Sequence, residues 1–328
     1  MSVAGPRVLV VGVGSIGRRH LGILKELGGV TLAACEPDAE RLQAVTDEFD
    51  VAGFRSLEAG LALFRPDAVL VCTPPVFHIA QAREAVAAGA DVFIEKPLSA
   101  SLDGVAELAA EAVAGARVVQ VGYNLHFERS LRRVKQLVDD QAIGRVLWAR
   151  IEFGQYLPDW RPLQDYRQSY SARRELGGGI LLDASHELAY AIWLLGEPVE
   201  VVSLAGRVSD LDVDVEDCAT VLLRFAGGAQ ADVHVDFVQR VPSRSCTLAG
   251  ERGTIVWDAL AHTVRVCTPG AADRLEEFPT GDNDAYREEL RHFLDCVARR
   301  TEPHVGLGLG RLALELALDA GAGMALAA

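Results

Sequence analysis

The 328-residue sequence lacks the features that mark secreted, membrane-spanning and nucleic-acid-binding proteins. Its six cysteines occur singly, without a C-x-x-C pair, which argues against a disulfide framework and favours a reducing compartment. No Cys/His cluster has zinc spacing, and no uncharged apolar run is long enough to span a bilayer. A formal net charge of −14 argues against a nucleic-acid surface, since phosphate binding needs clustered Lys and Arg. We expect a cytoplasmic protein that binds no metal, nucleic acid or membrane.

The sequence predicts an α/β fold with two domains. Up to about residue 121, short apolar runs such as Arg7 to Val11 alternate with helical patterns such as Ser15 to Leu27. This alternation predicts a parallel sheet covered on both faces. Later strand candidates follow one another without a helix between them, which predicts a largely antiparallel sheet. We place the first domain at residues 1–122 and the second, an α/β domain with an open sheet, at residues 123–328.

A glycine-rich motif, Gly12-Val13-Gly14-Ser15-Ile16-Gly17, directly follows the first predicted strand and opens the first helix. Backbone N–H groups and the helix dipole can receive a pyrophosphate at this point, so the pattern predicts a Rossmann dinucleotide-binding domain. The alternative is a tight strand–helix turn that binds no nucleotide. The candidate cofactor contacts in this motif are Gly12, Gly14, Ser15, Ile16 and Gly17.

The second predicted strand, Val30 to Ala34, is followed by an acidic residue. Glu36 has about the spacing expected for a carboxylate that accepts the ribose hydroxyls of a dinucleotide. Because a carboxylate would repel a 2′-phosphate, the sequence favours NAD over NADP. Arg18 and Arg19, which follow the last glycine of the motif, keep NADP open.

Glu95-Lys96-Pro97 follows the apolar run at residues 92–94. A lysine at the carboxyl end of a strand in an open α/β sheet points into the crevice where such folds hold their ligands. Beside a cationic nicotinamide ring its pKa would be depressed, because like charges disfavour the protonated amine. Lys96 is therefore a candidate proton-transfer group, and Glu95 and Lys96 are candidate cofactor contacts. The alternative is a surface lysine ahead of a turn.

A second loop of this kind, Thr73-Pro74-Pro75, ends the predicted strand Ala68 to Cys72, and His78 opens the next helix. Since the carboxyl ends of parallel strands meet at one edge, this loop should line the same crevice. Thr73 and Pro74 are candidate cofactor contacts, and His78 is a candidate ribose contact. The alternative is that these residues only turn the chain.

Asp183 and His186 follow the triplet Gly177-Gly178-Gly179, on a helix predicted from about Ile180 to Leu195. Residues at i and i+3 share a helical face, so the two side chains can reach one pocket. The pKa of histidine suits exchange of the hydroxyl proton as hydride leaves an alcohol carbon. The alternative for His186 is a hydrogen-bonded core residue.

Together these motifs resemble the glucose–fructose oxidoreductase/inositol dehydrogenase/MocA family over nearly the whole chain. The resemblance implies NAD(P)-dependent hydride transfer at a hydroxyl or keto carbon of a sugar, sugar derivative or cyclitol. It also implies a C-terminal domain whose open sheet supports a homodimer or homotetramer. It assigns proton transfer to Lys96 and His186 and substrate positioning to Asp183. Tyr123 and Asn124 match a loop that lines the nicotinamide and substrate pocket.

Three positions depart from the family pattern. The aspartate and histidine are three residues apart rather than four, Ala189 stands where an acidic residue is common, and His126 stands where the family often has arginine. These changes bear on the identity of the substrate more than on hydride transfer. Two alternatives to a sugar or cyclitol dehydrogenase stay open. One is a nucleotide-bound regulatory or binding protein, against which the retained Lys96 and His186 count, and the other is an imine reductase.

Two further groups of residues have less specific patterns. The aromatic and basic loop from Gln155 to Arg174 has the residue types to hold an anionic group or to pack as a rim. His234 and Asp236 share one face of a predicted strand, but no third metal ligand is apparent, so we expect a solvated strand face.

Overall fold

A computed structural model of the chain describes residues 5–162 and 164–323. These form two compact units, one built from residues up to Asn124 together with Asn283–Arg311, and the other from Leu125–Asp282 and the chain from Leu312 onward. The single predicted boundary after residue 122 therefore needs a correction, because the chain returns to the first unit near its end. The physical reason is burial, since apolar side chains of the returning segment lie in the core of the first unit.

The first unit contains a six-stranded sheet in which every neighbouring pair is parallel. The parallel sheet predicted from strand–helix alternation is confirmed. Its strands are β1 (Arg7–Val11), β2 (Thr31–Cys35), β3 (Ala52–Phe54), β4 (Ala68–Val71), β5 (Asp91–Glu95) and β6 (Val119–Gly122). The order across the sheet is β3-β2-β1-β4-β5-β6. Strands β2 and β3 therefore lie on one side of β1 and strands β4 to β6 on the other, with the topological switch point between β1 and β4. In such sheets ligands bind outside the carboxyl ends of the strands at this switch point.

The second unit contains an eight-stranded sheet that is antiparallel except for one pair, which confirms the prediction of a largely antiparallel sheet. Its strands are β7 (Val146–Gly154), β8 (Pro198–Gly206), β9 (Cys218–Phe225), β10 (Gln230–Asp236), β11 (Ser243–Gly250), β12 (Thr254–Asp258), β13 (Thr263–Cys267) and β14 (Arg274–Glu277). The order is β14-β13-β12-β11-β7-β10-β9-β8, and β7 with β10 is the parallel pair. Burial alternates along β9 and β10, so one face of the sheet is packed and the other is more exposed.

The α-helices cover these sheets and place the loops between strands. They are α1 (Ser15–Leu27), α2 (Ala39–Phe49), α3 (Leu57–Ala59), α4 (His78–Ala87), α5 (Val105–Ala114), α6 (Arg129–Asp139), α7 (Ile180–Asp183), α8 (Ser185–Leu195), α9 (Asp284–Arg299) and α10 (Leu307–Ala322). Asp38 caps α2, because its side chain accepts a hydrogen bond from the Arg41 N–H at 2.8 Å. Over residues 5–162 and 164–323, no helix is both long and apolar enough to cross a membrane.

The core of the first unit explains why α9 belongs to it. Leu290, Phe293 and Cys296 of α9 are buried in the same apolar cluster as Val10 of β1 and Phe93 of β5. The rings of Phe93 and Phe293 meet edge to face with centroids 5.7 Å apart. Such pairs contribute about 1 kcal/mol beyond the burial of their area. The returning helix is therefore part of the unit that contains the glycine motif.

Candidate functional site

The three glycines of the motif after β1 have three different surroundings. Gly12 has a φ of +82°, and a Cβ there would lie 2.8 Å from Cγ2 of Thr73. A Cβ on Gly17 would lie 1.9 Å from the Gly12 carbonyl oxygen, so α1 can approach the turn only if this residue is glycine. Gly14 has no atom within 4 Å of an added Cβ. Gly12 and Gly17 are thus in close contact with neighbouring protein atoms, whereas Gly14 faces open space. That space fits the close approach of a pyrophosphate to the backbone.

Glu36 lies beside this loop and is held by it. The carboxylate is 4 % exposed, and its Oε2 accepts a hydrogen bond from the Val13 N–H at 3.1 Å. Its Oε1 accepts from the Asp38 N–H at 3.2 Å and lies 3.3 Å from Nη1 of Arg41. Burial, together with the Glu36 charge, raises the pKa of the neighbouring Cys35 thiol to about 11. A carboxylate fixed at the end of β2 in this way has the chemistry to accept ribose hydroxyls.

His78 joins the two loops that follow β4 and β5. Its Nε2 lies 2.7 Å from the carbonyl oxygen of Thr73, and its Nδ1 lies 2.9 Å from the carbonyl oxygen of Pro97. The ring is 1 % exposed, and burial lowers its pKa, although the carbonyl neighbours oppose that shift. Thr73 donates its hydroxyl proton to Oε1 of Gln81 at 2.6 Å. Both nitrogens of His78 therefore face protein atoms, and a ribose contact stays a prediction.

Lys96 follows β5 and is partly buried, in a loop held by its neighbour Glu95. The Lys96 N–H donates to Oε2 of Glu95 at 3.1 Å, and Oε1 of Glu95 lies 2.6 Å from Nε2 of His20. Glu95 is 6 % exposed and His20 is fully buried. The Glu95 carboxylate therefore holds the Lys96 main chain. The cofactor contacts expected for Glu95 and Lys96 stay predictions.

Tyr123 and Asn124 follow β6, at the same edge of the sheet as the loops after β1, β4 and β5. Both side chains are buried. They are the last residues of the first unit before the chain passes to the second. Their predicted part in lining a nicotinamide and substrate pocket stays a prediction.

The glycine triplet of the second unit is set by close backbone contacts. A Cβ on Gly178 would lie 2.1 Å from the carbonyl oxygen of Tyr170. Gly179 has a φ of +117°, and a Cβ there would lie 2.3 Å from Oε1 of Glu216. That same oxygen accepts a hydrogen bond from the Leu181 N–H at 3.3 Å, at the start of α7. Burial raises the pKa of the Glu216 carboxyl.

Asp183 and His186 do not lie on one continuous helix. Ala184, with φ −90° and ψ 27°, separates α7 from α8, so the predicted helix from Ile180 to Leu195 is broken between the two residues. The argument from i and i+3 on one helical face is therefore wrong for this pair. Asp183 is buried and accepts a hydrogen bond from the Tyr170 hydroxyl at 2.5 Å, and His186 is buried at the start of α8.

The positions that depart from the family pattern are packed rather than exposed. The ring of His126 is buried and stacks on Trp193 at a centroid distance of 4.4 Å. Ala189 is also fully buried. The residue at position 126 therefore belongs to a buried aromatic stack.

The aromatic and basic loop from Gln155 to Arg174 is largely engaged by its own unit. Trp160 packs edge to face between two phenylalanines and donates its indole N–H to the Gln155 carbonyl oxygen at 3.1 Å. Arg167 pairs with Asp165, and Arg174 donates to the carbonyl oxygen of Asp214 at 3.0 Å. These contacts fit a packed rim, while an anion-binding role stays a prediction.

His234 and Asp236 pair with each other on the second sheet, with Nε2 3.2 Å from Oδ2. His234 is partly exposed, as expected for a solvated strand face, but Asp236 is buried, so the expectation is wrong for the carboxylate. Its hydrogen bond to Asp236 raises the pKa of its imidazole. Within the part of the chain that the structure describes, no group of three His, Cys, Asp or Glu side chains is arranged to hold a metal ion.

Sequence reasoning missed two residues beside the Glu95–Lys96 loop. His20 stands on the apolar side of α1, and a buried polar residue in that position is a local signal that a polar partner is required. Tyr286 comes from α9, and no local pattern places it near residue 95. Burial and the charge of Glu95 raise the pKa of the Tyr286 phenol, which Arg19 and Lys96 oppose.

Two family profiles match the chain. Residues 6–123 match the profile described as an oxidoreductase family with an NAD-binding Rossmann fold. Residues 131–256 match the GFO/IDH/MocA C-terminal domain. Together these segments cover most of both units.

Individual relatives match over nearly their full length. The chain is 30 % identical to the myo-inositol 2-dehydrogenase of Thermotoga maritima, over 94 % of this chain and 93 % of the relative. It is 28 % identical to the scyllo-inositol 2-dehydrogenase (NAD(+)) of Bacillus subtilis, over 91 % and 88 %. A solved structure of levoglucosan dehydrogenase with NADH and levoglucosan aligns with a TM-score of 0.88 at 19 % identity, covering 98 % of this chain and 97 % of that one. At that identity the last match shows the fold alone.

Proposed function

Because the chain belongs to the GFO/IDH/MocA family of NAD-binding oxidoreductases, we propose that it transfers a hydride between NAD and a hydroxyl-bearing carbon of a cyclitol. The observation that carries this choice is the 30 % identity to a myo-inositol 2-dehydrogenase over 94 % of the chain. Related sugars and sugar derivatives are the next class to test. Glu36, held at the end of β2, supports NAD rather than NADP.

The proposed chemistry divides between binding and proton transfer. The open side of the loop at Gly14 receives the pyrophosphate, and Glu36 accepts the ribose hydroxyls. Bound NAD supplies the hydride acceptor. Lys96 and His186 take up and return the hydroxyl proton of the substrate. Asp183, which accepts a hydrogen bond from the Tyr170 hydroxyl, positions the substrate. The hydrogen bond from the Lys96 backbone N–H to the Glu95 carboxylate supports this role, because a fixed backbone limits the positions that the Lys96 amine can reach.

The first experiment is an absorbance assay at the reduced-nicotinamide band over a panel of myo-inositol, scyllo-inositol, other polyols, levoglucosan and sugar nucleotides. We expect NAD reduction with at least one cyclitol. Lys96→Ala should lower kcat by about 100-fold or more, because general acid–base groups contribute about that much, while NAD affinity changes only a few-fold.

Lys135→Ala is the matched control, since Lys135 is a lysine of α6 whose amine pairs with Asp139. Near-normal turnover by Lys96→Ala would overturn the role of Lys96. If the wild-type protein binds NAD but reduces it with no member of the panel, a regulatory or binding protein is the better assignment.

We also propose that the second sheet supports a homodimer or homotetramer. Val202 and Leu204 of β8 and Leu222 of β9 are 56 %, 68 % and 52 % exposed, and Val202 pairs with Leu222 across the two strands. Neighbouring exposed apolar side chains on a sheet face are typical of an association surface. Leu222→Asp should lower the mass measured by light scattering, while Leu63→Asp in the first unit should not. A monomeric wild-type protein, or an unchanged mass for Leu222→Asp, would contradict this proposal.

A further inference from the structure

A buried hydrogen-bonded pair, His20 and Glu95, lies beside the main chain of the proposed proton-transfer residue. Nε2 of His20 lies 2.6 Å from Oε1 of Glu95, and Oε2 of Glu95 accepts the Lys96 N–H at 3.1 Å. Both residues of the pair are buried, with less than a tenth of their surface exposed. Buried polar groups need a hydrogen-bond partner, so neither member is a chance surface contact. The two oxygens of Glu95 thus connect His20 to the main chain of Lys96.

His20 is itself fixed in orientation. Its ring meets Phe93 edge to face at 5.4 Å and Tyr286 edge to face at 5.9 Å. It stands on α1, the helix whose first turn packs on the Gly12 carbonyl through Gly17. One helix therefore carries both the glycine motif and the residue that holds Glu95.

The returning helix α9 completes the surroundings of the pair. Tyr286 lies against His20, and the guanidinium of Arg19 lies 4.9 Å from the Tyr286 ring centroid. Glu289 is fully buried, and its pKa is raised by burial and by the charge of Glu95. The same two carboxyl groups, after burial itself, raise the pKa of the Cys72 thiol. Burial thus disfavours ionisation of Glu289, and Glu95 is the carboxylate that contacts His20.

We propose that His20 is a positioning residue for proton transfer at Lys96, acting through Glu95. Its N–H holds Glu95 in one orientation, and Glu95 in turn fixes the main chain from which the Lys96 amine extends. The location of the amine and the charge beside it both depend on this contact. The inference rests on the proposed role of Lys96, but its first test requires no substrate.

The chain contains only three lysines, Lys25, Lys96 and Lys135, which makes the amine directly observable. Reductive methylation with ¹³C-formaldehyde labels each lysine, and ¹H–¹³C spectra follow each amine through a pH titration. Lys96→Arg assigns the resonance of interest. Lys25, bonded to the Phe49 carbonyl, and Lys135, paired with Asp139, are internal references.

Two variants at position 20 separate positioning from packing. His20→Gln retains an N–H donor for Glu95, and His20→Leu removes it. We expect the Lys96 midpoint to move by about 0.5 pH unit or more in His20→Leu and by less than about 0.2 unit in His20→Gln, since a neighbouring charge has moved in only one of them. The Lys25 and Lys135 midpoints should stay in place. If His20→Leu does not fold, Glu95→Gln, which has nearly the same shape, should move the Lys96 midpoint instead.

Kinetics with the panel compound that is turned over fastest give the second readout. His20→Leu should lower kcat about tenfold or more while the NAD dissociation constant stays within about threefold, and His20→Gln should recover most of the loss. A lower melting temperature with unchanged Lys96 titration and unchanged kcat would mean that His20 is only a packing residue, and the inference would be overturned. A moved Lys96 resonance in a protein that turns over no compound would instead contradict the proposed function.

Discussion

The two glycines at positions 14 and 17 should respond to alanine in opposite ways. A Cβ on Gly17 would lie 1.9 Å from the Gly12 carbonyl oxygen, whereas ordinary van der Waals contact begins at 3.4 Å. The helix and the turn must therefore separate by about 1.5 Å. Overpacking of this kind costs about 1–3 kcal/mol, and the better helix propensity of alanine offsets up to about 1 kcal/mol. We expect Gly17→Ala to lose about 1–2 kcal/mol, or several degrees in Tm.

Gly14→Ala should leave stability almost unchanged. An added Cβ at Gly14 meets no protein atom within 4 Å, and the backbone there has a φ of −65°, which alanine adopts readily. The methyl group would instead stand where a phosphate must approach the backbone N–H groups. Loss of one charge-assisted hydrogen bond costs about 1.5–3 kcal/mol. NAD affinity should therefore fall by about 10- to 150-fold.

Both variants are compared with the wild type by thermal denaturation without cofactor and by calorimetric titration with NAD. The expected pattern is a lower Tm for Gly17→Ala and a near-normal Tm with weak NAD binding for Gly14→Ala. If Gly14→Ala binds NAD as tightly as the wild type, the cofactor does not approach this loop. If Gly17→Ala melts at the wild-type temperature, the close contact in the loop is relieved without cost.

Three further substitutions test the packing at two positions and the protonation of one buried carboxyl group. Phe293→Ala should lower the urea unfolding free energy of the first unit by about 3–5 kcal/mol, because its fully buried ring packs on Phe93; a loss under about 1 kcal/mol would contradict that packing. Gly179→Ala, at φ +117° and against Oε1 of Glu216, should destabilise the second unit by about 2 kcal/mol or more in the same assay. Glu289→Gln should gain stability relative to the wild type as pH rises above the ordinary carboxyl pKa of 4.5. The folded wild type keeps a proton that the unfolded chain releases, so its stability falls with pH; a pH-independent difference in unfolding free energy would contradict the raised pKa.

The sequence predicted the parts of the candidate site that depend on local pattern. The glycine motif, Glu36 and Lys96 each stand directly after a strand, and apolar runs identify such strands well. Parallel strands place their carboxyl ends at one edge, so three separate motifs are predicted to meet without knowledge of long-range contacts. The same reasoning predicted the change from a parallel to a largely antiparallel sheet.

Local pattern failed where distant segments decide the structure. The helix from Ile180 to Leu195 has a continuous helical pattern, yet it breaks at Ala184. We have no sequence signal for that break. Likewise, the amphipathic pattern of α9 shows that one face is buried but does not show in which unit.

The sequence by itself determined the strand–helix order, the fingerprint loop with its three glycines, and the positions of Lys96 and Glu36 at strand ends. These follow from periodicity and from steric limits that act over a few residues. Tertiary structure alone decided that α9 returns to the first unit, that His20 meets Glu95, and that His78 ties two loops together. Those contacts join residues far apart in the chain, and they depend on which buried polar groups find a partner after the sheet has formed.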